Sequence, residues 1–202
     1  MLVTLSGLPG SGTSTVARMV AAELGIDHLD GGTAFRAMAA EAHLSLADFA
    51  ALAEGDETID RALDDRLTER ARAGDVLLES RLAGWLATRA QLPALRVWIS
   101  CDHRERARRV AGRDGHEHPQ ALAHNDERER SERDRYQRYY GIDLTDLSIY
   151  DLVLDSEHTS PEDLVAAIVA AVRLALTACS VDKGLSIVFH IVLVRAGTTM
   201  GG

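Results

Sequence analysis

Nine residues, Gly7-Leu8-Pro9-Gly10-Ser11-Gly12-Thr13-Ser14-Thr15, separate a short β-rich run at positions 2–6 from Val16, Met19, Val20 and Leu24, which recur at helical spacing. A strand, a glycine-rich turn and a helix N-terminus in that order make an anion site. The glycines let successive backbone N–H groups turn inward, and the helix dipole adds partial positive charge. The spacing meets the phosphate-loop pattern G-x-x-x-x-G-K-[ST] except that Thr13 stands where lysine belongs. It does not meet G-x-G-x-x-G, so a dinucleotide-binding turn is the weaker reading. A β–α turn with no ligand is the plain alternative.

The missing lysine sets the next question. Lysine ordinarily reaches the β- and γ-phosphates and carries charge as the phosphoryl group moves. Thr13 offers a hydroxyl and a backbone N–H but no charge, while Ser14 keeps its place as a hydroxyl ligand to Mg²⁺. Of the 22 basic residues, Lys183 is the only lysine, so a cation acting before it is arginine or protonated histidine. Either arginine from elsewhere completes a catalyst, or the loop binds nucleotide without turning it over.

The rest of the chain alternates between two periods. Strand-like runs fall at 26–30, 76–78, 95–100 and 150–154. Helical patterns fall at about 57–73, where Ile59, Leu63 and Leu67 step by four, and at 103–113, 120–139 and 161–177. Pro161 after Ser160 opens the last of these, with Leu164, Ile168, Val172 and Leu176 on one face. Strands alternating with helices predict an α/β fold of the P-loop type: a three-layer sandwich with a mostly parallel five-stranded sheet. A chain of 202 residues at this size makes one domain, or one with a small insertion. Its net charge of −9 speaks against a generally basic nucleic-acid binder. Two distant cysteines give neither a disulfide framework nor zinc spacing. With no signal-peptide pattern and no apolar run of membrane length, a cytoplasmic protein is expected, without a nucleic-acid or membrane partner, and a monomer.

Three further motifs carry chemistry. Leu29-Asp30-Gly31-Gly32-Thr33-Ala34-Phe35-Arg36 puts an arginine just inside a helix after a glycine turn. Glu79-Ser80-Arg81-Leu82-Ala83-Gly84-Trp85 puts a carboxylate and an arginine at the C-terminal end of a buried strand, where open α/β sheets bind ligands. The third lies in the arginine-rich stretch 104–138. Arg128 and Arg135 there are seven apart, within about 20° around a helix axis, and are expected to close over one phosphate cluster. A solvated helix with i,i+4 ion pairs is the plain reading of that stretch. His116-Glu117-His118 with His124 reads as a polar loop at the lid rather than a metal set. Trp85 and Trp98 read as core or cleft residues, and Tyr136, Tyr139 and Tyr140 as packing of the lid helix.

Over roughly residues 1–177 the chain resembles the nucleoside monophosphate kinases, most closely the archaeal-type cytidylate kinases. Asp30-x-Gly32-x-x-Phe35-Arg36 matches the acceptor loop D-[ST]-G-x-x-[YF]-R, with Gly31 for the usual Ser or Thr. Glu79-Ser80-Arg81-Leu82-Ala83-Gly84 resembles E-G-R-L-A-G. Arg128-Glu129-x-Ser131-Glu132-x-x-Arg135-Tyr136-x-x-Tyr139-Tyr140-Gly141-Ile142-Asp143 is similar to the lid segment, and Asp146-Leu147-Ser148-Ile149-Tyr150-Asp151 continues it. The resemblance implies an ATP-dependent kinase that phosphorylates CMP or dCMP, with Mg²⁺. It implies that the loop from Gly7 to Thr15 holds ATP. Arg36 and Arg81, with Asp30 and Gly32, would hold the acceptor phosphate, and Ser14 and Glu79, the latter through water, the metal. Arg128 and Arg135 would come down with a helical lid at about 113–140, opposite acceptor helices at about 33–73. Some members carry Thr at the lysine position, and the lid arginines are the expected source of the missing charge. Another acceptor such as AMP, or a nucleotide-binding regulator without turnover, are the alternatives. Residues 178–202, with an apolar run at 185–194, are expected to be an extension outside the kinase domain.

Overall fold

Five strands, β1 (Leu2–Gly7), β2 (Asp27–Asp30), β3 (Val76–Glu79), β4 (Leu95–Ser100) and β5 (Leu152–Asp155), pair in the order β2-β3-β1-β4-β5, every pairing parallel. The computed structural model describes residues 1–114 and 118–181. Parallel strands need crossovers, and helices fill them: α1 (Thr13–Leu24), α2 (Gly31–Glu41), α3 (Leu46–Gly55), α4 (Glu57–Arg72), α5 (Ala83–Arg89), α6 (His103–Asp114), α7 (His118–Tyr140) and α8 (Pro161–Val181).

The central strands β1 and β3, and the middle of β4, are buried on both faces, which explains their short apolar runs. Val3, Leu5, Leu77, Val97 and Ile99 point to one face, where Val16 and Val20 of α1 and Leu164, Ile168 and Val172 of α8 cover them. Leu2, Val76 and Leu78 point to the other, against Leu67 and Ala71 of α4 and Ala83 and Ala87 of α5. Each such fully buried Val or Leu contributes roughly 1.5–3 kcal/mol relative to exposure. The predicted face of α8 holds for three of its four residues. Leu176 is half exposed.

Three other expectations change in detail. Tyr150 precedes the last strand instead of opening it; its ring lies 5.3 Å from that of the buried Trp98. A Cβ at Gly84 would stand 2.5 Å from the same ring, so the glycine of the Leu-Ala-Gly run makes room for Tyr150. The Gly31-Gly32 pair is the first turn of α2 rather than a turn before it, because the Asp30 side chain caps that helix. The predicted last helix reaches Val181, four residues beyond position 177. Lys183, the run at 185–194, residues 116 and 117, and the side chains of His118 and His124 lie outside the described residues. No described helix is long and apolar enough to cross a membrane.

Candidate active site

β1 ends at the sheet's switch point, between β3 on one side and β4 on the other, and the glycine loop leaves from its C-terminal end. Gly10 and Gly12 have φ of 85° and 88°, a backbone region that favours glycine, and Ser11 N donates to Leu8 O at 3.1 Å to close the turn. α1 begins without a side-chain cap, which leaves its first N–H groups to an anion. The loop is braced from outside by Ser156, just past β5, whose hydroxyl donates to Ser11 O at 2.7 Å.

Ser14 and Glu79, 65 residues apart in sequence, meet at this loop: Ser14 Oγ donates to Glu79 Oε1 at 2.6 Å. The second carboxylate oxygen lies 2.9 Å from His28 Nε2. A buried carboxylate whose direct partners are a hydroxyl and an imidazole, at the foot of a phosphate loop, suits a hard divalent cation. His28 was not legible beforehand. It reaches Glu79 only because β2 and β3 pair in parallel, with His28 opposite Leu77 and Asp30 opposite Glu79.

In the segment expected to hold the acceptor, Asp30 Oδ1 accepts from Gly32 N at 2.9 Å, and Oδ2 accepts from Thr33 Oγ1 at 2.5 Å and Arg36 Nη2 at 3.3 Å. Arg36 also donates to Thr33 Oγ1 at 2.8 Å and keeps an exposed side chain at the rim. Across the cleft, Arg81 is largely buried. Its Nη1 donates to Gly7 O at 3.1 Å and its Nε to Glu132 Oε2 at 2.9 Å. Arg81 therefore touches both the glycine loop and α7.

Arg128 and Arg135, the arginines expected to act from a lid, have separate partners. Arg128 Nε donates to Glu132 Oε1 at 2.9 Å, with the side chain half exposed. Arg135 is buried against Asp60 of α4, N to O at 3.3 Å. Seven residues of helix separate them by about 10 Å along the axis, and the expected single cluster is not what the structure brings together. Burial pushes the Asp60 carboxyl above its ordinary value, against the pull of Arg135. Burial also pushes on Glu132, yet Arg81 and Arg128 hold it below the usual carboxylate range.

Two arginines of α6 also reach the loop, and the sequence read them only as part of a charged helix. Arg106, almost fully buried, donates to Pro9 O at 3.2 Å and pairs with Glu129. Arg109 donates to Ser156 Oγ at 3.1 Å and Ser156 O at 2.8 Å, with Nη1 3.7 Å from where a Cβ on Gly12 would stand. The Asp151 segment, by contrast, is architectural: its carboxylate takes three N–H groups of Arg96 and fixes the entry to β5. The tyrosines of α7 pack and fasten it, as expected; Tyr139 OH donates to Glu54 O at 2.8 Å and Tyr140 OH to Asp64 at 2.6 Å.

Residues 2–158 match the model of the cytidylate kinase-like family. A cytidylate kinase of Halobacterium salinarum is 44% identical over 173 residues, covering 85% of this chain and 89% of the relative. One from Pyrococcus horikoshii is 42% identical over 172 residues, covering 85% and 88%. Among solved structures, a shikimate kinase from Aquifex aeolicus superposes with a TM-score of 0.56 at 16% identity, covering 88% of this chain and 99% of its own. That likeness carries the fold alone.

Proposed function

The chain belongs to the cytidylate kinase-like family, and from that membership we propose that it transfers the γ-phosphoryl group of ATP to a pyrimidine nucleoside monophosphate, CMP or dCMP. The observation that carries the reading is the meeting of three parts at one loop. An uncapped helix N-terminus lies under it, the Ser14–Glu79 pair at its foot, and Arg81 across its mouth.

In this reading the loop from Gly7 to Thr15 holds the phosphates of ATP, with Arg109 and Ser156 on the side where the loop meets β5. Ser14, and Glu79 through a water, hold Mg²⁺, which neutralises charge on the β- and γ-phosphates when bound. Arg36 and Arg81 grip the acceptor phosphate, with Asp30 and the Gly32 backbone tethering Arg36. Arg128 and Arg135 belong to the lid that excludes water. An oxygen of the acceptor phosphate attacks the γ-phosphorus, the bond to the β–γ bridging oxygen breaks, and ADP leaves. A phosphate acceptor is ionised at neutral pH, so no general base is needed, and the chain's work is positioning and charge neutralisation. Every residue named comes from one chain, so the chemistry asks for no second copy.

ADP release measured with a panel of monophosphates tests this. CMP and dCMP should give the highest kcat/KM. Preference for AMP would move the acceptor, and ATP binding without acceptor-dependent release would make the protein a nucleotide-binding regulator.

A further inference from the structure

α7 carries two buried carboxylates three residues apart, Glu129 and Glu132, and each grips an arginine that donates to a carbonyl of the phosphate loop. Glu129 holds Arg106 against Pro9 O, and Glu132 holds Arg81 against Gly7 O. The arginines arrive from opposite sides, one from α6 and one from the turn between β3 and α5. Their remaining bonds differ. Arg106 is tied further, by Nε to Cys101 O and by Nη2 to Glu129, and serves the loop's shape. Arg81 spends Nε on Glu132 and Nη1 on Gly7 O, and its Nη2 has no hydrogen bond to a described residue.

Thr13 explains why that matters. Its side chain is buried and turned under the loop, with Cγ2 2.8 Å from where a Cβ on Gly7 would lie. The residue at the lysine position thus faces the same glycine from below, uncharged, while a guanidinium meets that glycine's carbonyl from the cleft. A guanidinium held at Nε by a carboxylate and at Nη1 by a carbonyl has two fixed points, which together set its direction.

We propose that Glu132 is a positioning residue, which accepts from Nε of Arg81 and so aims its guanidinium across the phosphate loop, where it supplies the charge that Thr13 lacks. Glu132 also takes Arg128, so the aim of Arg81 and the placement of the lid arginine depend on one carboxylate. The lid then contributes to charge neutralisation through Arg81, from a residue that itself touches no phosphate.

This rests on the kinase reading above, and the experiment separates the two. Wild-type transfer to each monophosphate is measured first; absence of any transfer overturns that reading, not this one. Rates of the variants are then taken on the acceptor the wild type uses. Glu132→Ala should lower kcat on the order of 10²-fold, the scale of a small misplacement, with little change in KM for ATP. Glu132→Gln, of the same shape, should fall between and covers an alanine variant that does not fold. Thr13→Lys added to either should recover at least about tenfold of the lost kcat, a rescue that repair of packing would not give. Wild-type kcat in both Glu132 variants overturns the proposal. So does a loss that Thr13→Lys leaves untouched while Thr13→Lys alone is active. If Thr13→Lys alone is inactive, the cycle of Arg81→Ala with Glu132→Ala decides. The double variant should be no slower than Arg81→Ala, and fully additive losses refute the role. A readout without turnover uses the ¹⁵Nε–H signal of Arg81, assigned by its loss in Arg81→Lys. It should exchange slowly with solvent in the wild type and fast in Glu132→Gln; equal rates in both contradict the proposal.

Discussion

Gly31 and Ser80 face each other between the acceptor loop and the end of β3. A Cβ built on Gly31 would stand 2.8 Å from Ser80 Cβ, closer than two carbons tolerate. The family pattern these segments resemble has the opposite arrangement, a hydroxyl residue at the first position and glycine at the second. The side chain has moved from one wall of the contact to the other, and the Ser80 hydroxyl, buried without a hydrogen-bond partner, gains nothing else there. Gly31→Ser should therefore cost about 1–3 kcal/mol as overpacking, a fall in Tm of several degrees, and Ser80→Gly in the same chain should restore most of it. Equal Tm losses in the single and double variants would show that the two positions do not share this space. Residues of this kind mark the limit of legibility. The loop from Gly7 to Thr15 announced itself because its chemistry is local, and so did Arg36 and Arg81 within their motifs. His28, Arg106 and Arg109 did not, since each acts on a partner brought close only by the parallel register or by the packing of α6 on the loop.

Among the elements, α4 and α7 do the most to shape the cleft. Asp60 and Asp64, one turn apart on α4, receive Arg135 and the Tyr140 hydroxyl from α7. Arg61 of α4 donates to Tyr139 O at 3.1 Å, and Ser131 of α7 to Glu54 at the end of α3 at 2.6 Å. Below Tyr140 a cleft of about 330 Å³ opens between α4 and α5, lined in part by Asp64, Asp65 and Arg89. Burial, with smaller pushes from Asp60 and Asp65, raises the Asp64 carboxyl to about 7, against the Tyr140 hydrogen bond and Arg135. In the unfolded chain it titrates near an ordinary aspartate value of about 3.9. The native state then holds the extra proton between those values. The group's contribution is complete below the lower one and is lost as pH rises through 7. Asp64→Asn does not titrate, so its Tm should gain on the wild type by several degrees between pH 5 and pH 8.5. A difference in Tm that stays constant with pH would contradict the assignment. Periodicity found α4, α6 and α7, whose apolar or charged faces repeat over many turns. It missed α5, only seven residues long, because a helix of two turns inside a motif leaves too short a pattern to read.

At the scale of the whole molecule, the parallel sheet was legible from alternation of strand and helix, whereas the order β2-β3-β1-β4-β5 was not. That order puts the phosphate loop between the strand that carries Glu79 and the strand that leads into α6, and so brings the acidic and arginine-bearing walls to one site. α8 packs on α1 and closes the face of the sheet away from α4 and α5. In the function proposed, a phosphate loop without lysine transfers a phosphoryl group with arginine in its place. The most direct test follows ³¹P resonances of ATP and CMP with the 202-residue wild-type protein and Mg²⁺. ADP and CDP should grow in equal amounts, with no inorganic phosphate beyond the enzyme-free control. ATP that stays intact beside CMP, or that yields phosphate and no CDP, would contradict it.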